Sequence, residues 1–164
     1  MAGDSPGHGR TAVTERVEQF LRDAGVPYER IEHAPVFTSE EAARVRGTPL
    51  QAGAKAIVVR ADDRYVHLVL PGNRKLDNAR LREILGTRRV RFATPDELLA
   101  LTGCAPGAVP PFGNLFGLPV LLDEALTAVE RVAFNAGSNT VSITMRADDL
   151  VRLSGATVCR FTQA

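Results

Sequence analysis

The sequence predicts a mixed α/β fold: a single domain with a mostly antiparallel sheet, or a partly closed barrel, flanked by helices. Its 164 residues, of which 45% are hydrophobic and 24% charged, suit one globular domain with a substantial core. Strand-like and helical segments are interspersed without a strict βαβ repeat, which argues against a doubly wound parallel sheet. Residues 55–60 and 65–70 are β-rich runs joined by the polar segment 61–64, which is the pattern of a hairpin.

Helices are predicted where apolar residues recur at helical spacing between recognisable start and stop signals. Thr11 or Thr14 starts the first helix and Gly25 ends it. Thr38 is followed by a glutamate three residues later, which is the spacing of a capping box, and the helix that it opens ends at Gly47. The predicted helices cover residues 13–24, 38–46, 76–85, 95–101 and 148–153.

Strands are predicted for the segments that are rich in β-branched residues or alternate between apolar and polar. They cover residues 28–33, 55–60, 65–70, 89–92, 118–122, 131–135, 141–145 and 156–161. Residues 1–10 are predicted to be a disordered tail, and residues 11–164 to be the domain. No internal repeat or interdomain linker is visible in the sequence.

The composition and the charge exclude several classes of protein. The net charge is +1, so the molecule as a whole does not attract DNA or membranes, and a nucleic acid must be met by a local patch. No run of roughly 18 apolar residues is present, and the N-terminus lacks the apolar core of a secretory signal. Cys104 and Cys159 lie far apart, which favours reduced thiols in a cytoplasmic protein over a disulfide framework or a zinc site.

Lysine is rare in this chain: of the twenty basic residues, the only two lysines are Lys55 and Lys75. Lys55 opens an apolar run after the flexible segment 51–54. A lysine at the start of a buried strand suggests a role for a compact ammonium group, whose pKa shifts when it is desolvated. The alternative is an ordinary strand-end lysine, whose stem lies on apolar surface while its charge stays in water.

A glycine- and proline-rich loop, residues 103–117, is the second candidate feature. It contains four glycines and three prolines, with Phe112 and Phe116 as apolar anchors. Such a loop can hold backbone N–H groups in fixed positions for a carbonyl or an oxyanion, or it can be a structural connection. Residues 135–139 then form a small polar segment between two strands. It is either an ordinary hairpin turn or a place where Asn135 faces a ligand.

Few other residues are candidates for chemistry. The sequence has no nucleophile elbow, zinc-protease motif or phosphate loop, and no cluster indicates a metal or an organic cofactor. His33 and His67 lie in strand-like segments, where a histidine is usually structural, and Cys104 has no adjacent base that would make it a nucleophile. Residues 74–91 carry seven basic residues against two acids, which indicates either a solvated helix face or a patch that contacts phosphates.

Seven segments, each weak by itself, form a specific pattern through their order and spacing. They are Glu32-His33, Gln51-Ala52-Gly53-Ala54-Lys55, Val69-Leu70-Pro71-Gly72-Asn73-Arg74-Lys75-Leu76-Asp77, residues 103–113, Pro119-Val120-Leu121-Leu122-Asp123, Ala136-Gly137 and Asp149-Leu150. Together they resemble the YbaK/EbsC family, the prolyl-tRNA editing-domain superfamily of aminoacyl-tRNA deacylases. The resemblance extends over residues 14–161.

The resemblance implies a mixed α/β editing domain that hydrolyses the ester between a wrong amino acid and the 3′ end of a tRNA. The family's strand lysine falls on Lys55, and its Gly-x-x-x-Pro loop runs from Gly107 to Pro111. The pocket residue before its Ala-Gly turn falls on Asn135. Many relatives have a small or hydroxyl residue there, so Asn135 departs from the pattern. The expected catalytic set is Lys55, Gly107, Pro111 and Asn135.

The same resemblance implies the wider site and the substrate. The expected substrate-binding residues are His33, Phe37, Ala108, Val109, Pro110, Gly137 and Ser138. The expected contacts with tRNA phosphates are Arg74, Arg80, Arg82 and Arg88. The expected substrate is a small amino acid such as alanine or cysteine on the proline tRNA, and an aminoacyl-tRNA synthetase is a candidate partner. No DNA, membrane or cofactor is expected, and the oligomeric state is left open.

The expected chemistry is modest because an aminoacyl ester is already activated and needs mainly positioning and stabilisation of its oxyanion. Lys55 is expected to place positive charge near the carbonyl or the terminal phosphate, and the loop N–H groups to hold the carbonyl. Asn135 is expected to orient the amino acid or a water molecule, which the substrate itself helps to activate. Two alternatives stay open: a non-catalytic module that binds aminoacyl-tRNA or protein, and an unrelated small-molecule hydrolase on the same scaffold.

Overall fold

A computed structural model describes residues 11–164 of the chain, and the predicted tail lies outside the described residues. This part contains the helices α1 (Ala12–Ala24), α2 (Ser39–Arg46), α3 (Asn78–Leu85), α4 (Pro95–Thr102) and α5 (Ala147–Ser154). The first four begin at a side chain that accepts a hydrogen bond from a backbone N–H of the first turn; these caps are Thr11, Thr38, Asp77 and Thr94. All five predicted helices are therefore present.

Within the described residues, eight strands form two sheets. They are β1 (Tyr28–Glu32), β2 (Ala54–Ala61), β3 (Arg64–Pro71), β4 (Val90–Phe92), β5 (Val120–Asp123), β6 (Arg131–Asn135), β7 (Val141–Arg146) and β8 (Thr157–Cys159). The smaller sheet has the order β1-β7-β6, and the larger has the order β4-β2-β3-β5-β8. Only the pairs β3–β5 and β5–β8 are parallel. The predicted mixed, mostly antiparallel fold is confirmed.

The β2–β3 hairpin of the larger sheet sets the position of the site. Its register pairs Lys55 with Leu70. On its other side β2 pairs with β4 only from Val59 onward, so the first half of β2 is an open edge of this sheet. A parallel bridge between Gly53 and Ala133 joins the start of β2 to β6 of the smaller sheet. The two sheets therefore meet beside Lys55.

Hydrophobic cores lie on both faces of the larger sheet because alternate strand residues point to opposite faces. The main core joins α1 to both sheets and includes the buried Leu21, Leu122 and Phe134. Phe112, from the glycine- and proline-rich loop, contacts Phe134 edge to face at 5.6 Å between ring centroids. A second core contains Phe161, from the end of the chain, together with buried residues of α3, β2 and β3. The loop is thus anchored in the main core.

The structure differs from the predictions at a few boundaries. A 3-10 helix, Gly113–Phe116, occupies part of the loop that was expected to lack regular structure, and a second, Glu124–Ala128, follows β5. The last strand is shorter than predicted because the Asp123 carboxylate accepts hydrogen bonds from the N–H groups of Phe161 and Thr162. Among the described residues, no helix has both the length and the apolar character needed to cross a membrane.

Candidate active site

A cavity of about 380 Å³ opens where the two sheets meet. Helix α2 and the segment before it form one wall, the start of β2 forms the second, and the loop after α4 with the end of β6 forms the third. The polar and charged side chains in this lining are Thr38, Ser39, Arg46, Lys55 and Asn135. No acidic residue of the described part of the chain lines the cavity.

Lys55 lies on the open edge of β2 and lines the cavity. Its side chain is partly exposed, and no hydrogen bond or ion pair joins it to another described residue. Several surface arginines, by contrast, are paired with carboxylates, as Arg91 is paired with Glu97 at 2.7 Å. An unpaired ammonium group in a concave site is free to bind an oxygen atom of a ligand.

The Gly-x-x-x-Pro loop leaves two backbone N–H groups for a ligand. Pro110 and Pro111 have no N–H, and the N–H of Ala108 donates to a carbonyl within the loop at 3.0 Å. Gly107 and Val109 line the cavity, and their N–H groups have no acceptor among the described residues. Only these two members of the loop therefore have N–H groups that can hold a carbonyl oxygen.

Arg46, the last residue of α2, holds Asn135 in place. Its Nη2 donates to the Asn135 Oδ1 at 2.9 Å, and its Nε donates to the Ser142 Oγ at 2.8 Å. The Asn135 Nδ2 in turn donates to the Gly107 carbonyl at 2.8 Å. A continuous chain of hydrogen bonds therefore runs from α2 through the end of β6 to the loop.

The Arg46 side chain is partly buried and has no acidic partner among the described residues. Burial lowers the pKa of Arg46 to about 10, so the group is still protonated at neutral pH. Together with Lys55 it gives the cavity two positive charges. This arrangement favours a ligand oxygen that carries negative charge or develops it during a reaction.

The structure separates the expected substrate-binding residues into two groups. Phe37 and Val109 line the cavity, and Phe37 is 78% exposed. His33 does not line it, because its Nε2 is bonded to the Ser142 Oγ. Gly137 and Ser138 are buried in the turn after β6 and do not line the cavity either.

The remaining loop residues are buried beside the cavity rather than exposed in it. Ala108, Pro110 and Pro111 do not line it. His67, on β3, donates from Nε2 to the Pro110 carbonyl at 3.0 Å. Burial lowers the pKa of His67 to about 4, so the imidazole is neutral near pH 7, and its proton is on Nε2 because a carbonyl can only accept. His67 therefore holds the loop in place through its hydrogen bond to the Pro110 carbonyl.

Cys104 has the environment of a structural cysteine. Its thiol is buried, and burial raises its pKa. The uncharged thiol is a poor nucleophile, and Cys104 does not line the cavity.

The four arginines that were expected to contact tRNA phosphates do not line the cavity. Arg74 and Arg80 donate to backbone carbonyls near the end of the chain. Arg82 and Arg88 are exposed. Arg88 lies next to the turn of the β2–β3 hairpin, roughly 20 Å from Lys55 at the spacing of strand residues. Arg88 therefore lies on a surface away from the cavity.

Sequence reasoning missed Arg46, although one signal indicated it. Ala42, four residues earlier in α2, is buried, so Arg46 occupies the next position on the same inward-facing stripe of the helix. An arginine at an apolar position of a short helix indicates a buried cation. Its partners lie far away in the sequence and could not be predicted.

Comparison with known proteins gives the family. The model of the aminoacyl-tRNA editing domain matches residues 33–153. The multifunctional Ser/Thr-tRNA deacylase ProXp-y of Escherichia coli K12 is 30% identical over 152 residues, covering 90% of this chain and 91% of that protein. The proline–tRNA ligase of Staphylococcus aureus strain Newman is 31% identical over 85 residues, which is 52% of this chain and 15% of the ligase.

Solved structures agree with the sequence matches. The crystal structure of a candidate trans-editing enzyme for prolyl-tRNA synthetase has a TM-score of 0.85 and 27% identity, covering 95% of this chain and 100% of that one. A hypothetical protein has a TM-score of 0.83 and 25% identity, covering 90% of this chain and 99% of its own. The family model alone spans well over half of the sequence. The chain therefore belongs to the aminoacyl-tRNA editing domain family, a family of aminoacyl-tRNA deacylases.

Proposed function

We propose that this chain is a trans-editing deacylase that removes a small amino acid from the 3′ end of a mischarged tRNA in the cavity between α2, β2 and the Gly-x-x-x-Pro loop. The observation that carries the proposal is the position of Lys55. Its unpaired ammonium group lines the same cavity as Gly107 and Val109, whose N–H groups lack acceptors among the described residues. A cation and two free donors around one concave site suit an ester carbonyl that becomes an oxyanion.

Water is the only reactant that the hydrolysis needs besides the aminoacyl ester. The oxygen of a water molecule attacks the ester carbonyl carbon, the bond from that carbon to the ribose oxygen breaks, and a proton passes from the water to the ribose oxygen. Lys55 and the N–H groups of Gly107 and Val109 stabilise the charge on the carbonyl oxygen. No carboxylate of the described residues lines the cavity as a base, so the proton passes through the substrate, by a ribose hydroxyl or the amino acid itself.

The proposed substrate is a small amino acid. The family resemblance implies alanine or cysteine on the proline tRNA, and the E. coli relative is named for deacylation of Ser- and Thr-tRNA. The cavity of about 380 Å³ must hold the amino acid and part of the terminal nucleotide, which favours small side chains. The hydroxyls of Thr38 and Ser39 in its lining favour serine and threonine within this group.

The first prediction concerns Lys55. We expect Lys55→Ala to lower kcat/KM for amino acid release by about 100-fold or more, because it removes positive charge from the developing oxyanion. The measurement is release of Ala, Cys, Ser and Thr from several mischarged tRNAs. Lys75→Ala is the matched control, since it removes the other, exposed lysine. Full activity of Lys55→Ala would contradict the assignment. Tight tRNA binding without release by the wild type would instead indicate a binding module.

A further inference from the structure

The charged side chain of Arg46 costs the fold stability. Arg46 is partly buried in the cavity wall, and a guanidinium group that is partly withdrawn from water without a carboxylate loses solvation that neutral acceptors only partly replace. Its acceptors among the described residues are the Ser142 hydroxyl, the Asn135 amide and, at 3.4 Å, the Ala133 carbonyl. A small domain that retains such a group in the wall of its cavity gains little stability from it. The arrangement is typical of a residue kept for function at a cost in stability.

The geometry of the contacts defines what Arg46 does. Because its Nη2 is a donor, the Asn135 side chain must present its oxygen to α2 and its nitrogen to the Gly107 carbonyl. The opposite orientation of the amide would place two donors against each other on one side and two acceptors on the other. The Ser142 hydroxyl accepts from the Arg46 Nε and also forms a hydrogen bond with the His33 Nε2. The bonds from Arg46 through Asn135 to Gly107 therefore each have a fixed direction.

We propose that Arg46 is the positioning residue of this site: through Asn135 it fixes the Gly107 backbone in the orientation in which the loop receives the ester carbonyl. This inference rests on the proposed function. Gly107 has a left-handed backbone, with φ of 85°, and lies on the exposed face of the loop. No other described residue donates a hydrogen bond to its carbonyl. Without Arg46, the Asn135 amide is free to rotate and the Gly107 peptide loses its constraint.

The same geometry limits the role of Asn135. Its oxygen is used by Arg46 and one of its N–H groups is used by Gly107. Asn135 therefore links α2 to the loop through two hydrogen bonds, and one N–H of its amide remains for a ligand. The sequence-based expectation that Asn135 orients the amino acid or a water molecule would have to be met by this one N–H.

The test compares Arg46→Met, Arg46→Lys and Asn135→Ala in deacylation of the substrate that the wild type cleaves. We expect each variant to lower kcat by about 10- to 100-fold with little change in KM, because a misplaced loop affects the transition state more than tRNA binding. Arg46→Lys keeps the charge but replaces the separate Nε and Nη2 donors of a planar guanidinium with one nitrogen on a flexible stem, so it is expected to stay impaired. We expect kcat of the double variant Arg46→Met, Asn135→Ala to lie within about threefold of kcat of the less active single variant. The two effects are not additive because both residues act through one chain of hydrogen bonds.

Thermal unfolding distinguishes positioning from structure. Arg46→Met removes a partly buried charge that has no acidic partner, so its melting temperature is expected to stay near that of the wild type or to rise. Arg44→Ala, which removes an exposed arginine of the same helix, is the matched control and should leave kcat unchanged. Full activity of Arg46→Met, full rescue by Arg46→Lys, independent effects in the double variant, or a loss of melting temperature that parallels the loss of kcat would each overturn the proposal. An inactive wild type would show instead that the proposed function has failed.

Discussion

Burial lowers the pKa of two side chains near the cavity but leaves them in different charge states at neutral pH. It lowers the pKa of Arg46 to about 10 and that of His67 to about 4. Arg46 nevertheless keeps its charge at neutral pH, whereas His67 loses its charge, because their ordinary pKa values lie on different sides of pH 7. Gly113 packs directly on the imidazole, and a Cβ at this position would lie 2.6 Å from the Cβ of His67. His67 is therefore a neutral, enclosed support for the loop.

His67 should make the protein sensitive to acid. Its pKa is lower in the folded than in the unfolded chain, so the unfolded chain binds a proton between about pH 6.5 and pH 4 while the folded chain does not. The free energy of unfolding therefore falls as the pH falls through this window. By this linkage we expect His67 to contribute a loss on the order of 2 kcal/mol between about pH 7.5 and pH 4.5. Urea unfolding at the two pH values measures it.

His67→Gln is the control for this prediction, because it keeps a donor for the Pro110 carbonyl and removes the titration. Two carboxyls, Glu97 and Asp148, have a lowered pKa through hydrogen bonds to Arg91 and Arg146 and also destabilise the fold in acid. Both carboxyls are present in the wild type and in His67→Gln. The difference between the two proteins in the loss of unfolding free energy is therefore the contribution of His67. Identical losses in the two proteins would contradict the prediction.

Helix α2 is the element on which the site depends most. Its first residues and its last residue, Arg46, line the same cavity. At its start, the Thr38 hydroxyl accepts from the Glu41 N–H while the Glu41 carboxylate accepts from the Thr38 N–H. Helix α4 begins with the same capping box, formed by Thr94 and Glu97, but it does not line the cavity. The described residues thus contain two capping boxes, and only the one at Thr38 adjoins the site.

These two caps allow a matched prediction. Thr38→Ala and Thr94→Ala should each lower the free energy of unfolding by about 1 kcal/mol, because each leaves an N–H of the first turn without its acceptor. Only Thr38→Ala is expected to lower kcat/KM, by roughly 5- to 10-fold, since a frayed first turn displaces cavity residues. Urea unfolding and deacylation assays check the two parts. Equal effects of both variants on activity would show that the loss follows from stability alone.

For the whole molecule, the distribution of charge matters more than its sum. The net charge is +1, yet the cavity contains two cations, and exposed arginines follow along α3 and the turn after it. A cation at one end of the β2–β3 hairpin and arginines near its other end suit a long, negatively charged substrate. The amino acid end would lie at Lys55 and the phosphates of the stem would lie toward Arg88.

The double variant Arg82→Ala, Arg88→Ala tests this arrangement. We expect it to raise KM for aminoacyl-tRNA several-fold, to leave kcat unchanged, and to reduce the salt dependence of tRNA binding by a log–log slope of about 1 to 2. Binding measured across a series of salt concentrations gives the slope. Arg152→Ala, whose arginine is paired with Asp149 at 3.1 Å, is the control. An unchanged slope in the double variant would place the tRNA on a different face.

Most elements of the fold could be predicted because their determinants lie within a few residues of each other. The caps at Thr38 and Thr94, the glycine after each helix and the short polar turn of the β2–β3 hairpin all act locally. Where prediction failed, a distant residue intervened, as when Asp123 shortened the last strand through contacts 38 and 39 residues away.

The sequence by itself determined the mixed α/β fold, the order of the elements and the family, together with Lys55 and the loop as the candidate site. Only the tertiary structure decided which groups face the cavity. In it, the N–H groups of Gly107 and Val109 are the loop donors without an acceptor among the described residues, and His33 does not line the cavity. Arg46 donates to Asn135, which is 89 residues away in the sequence. The physical reason is range: hydrogen bonds within one turn can be predicted from spacing, whereas the acceptors of Arg46 come together only when separate strands and helices pack against each other.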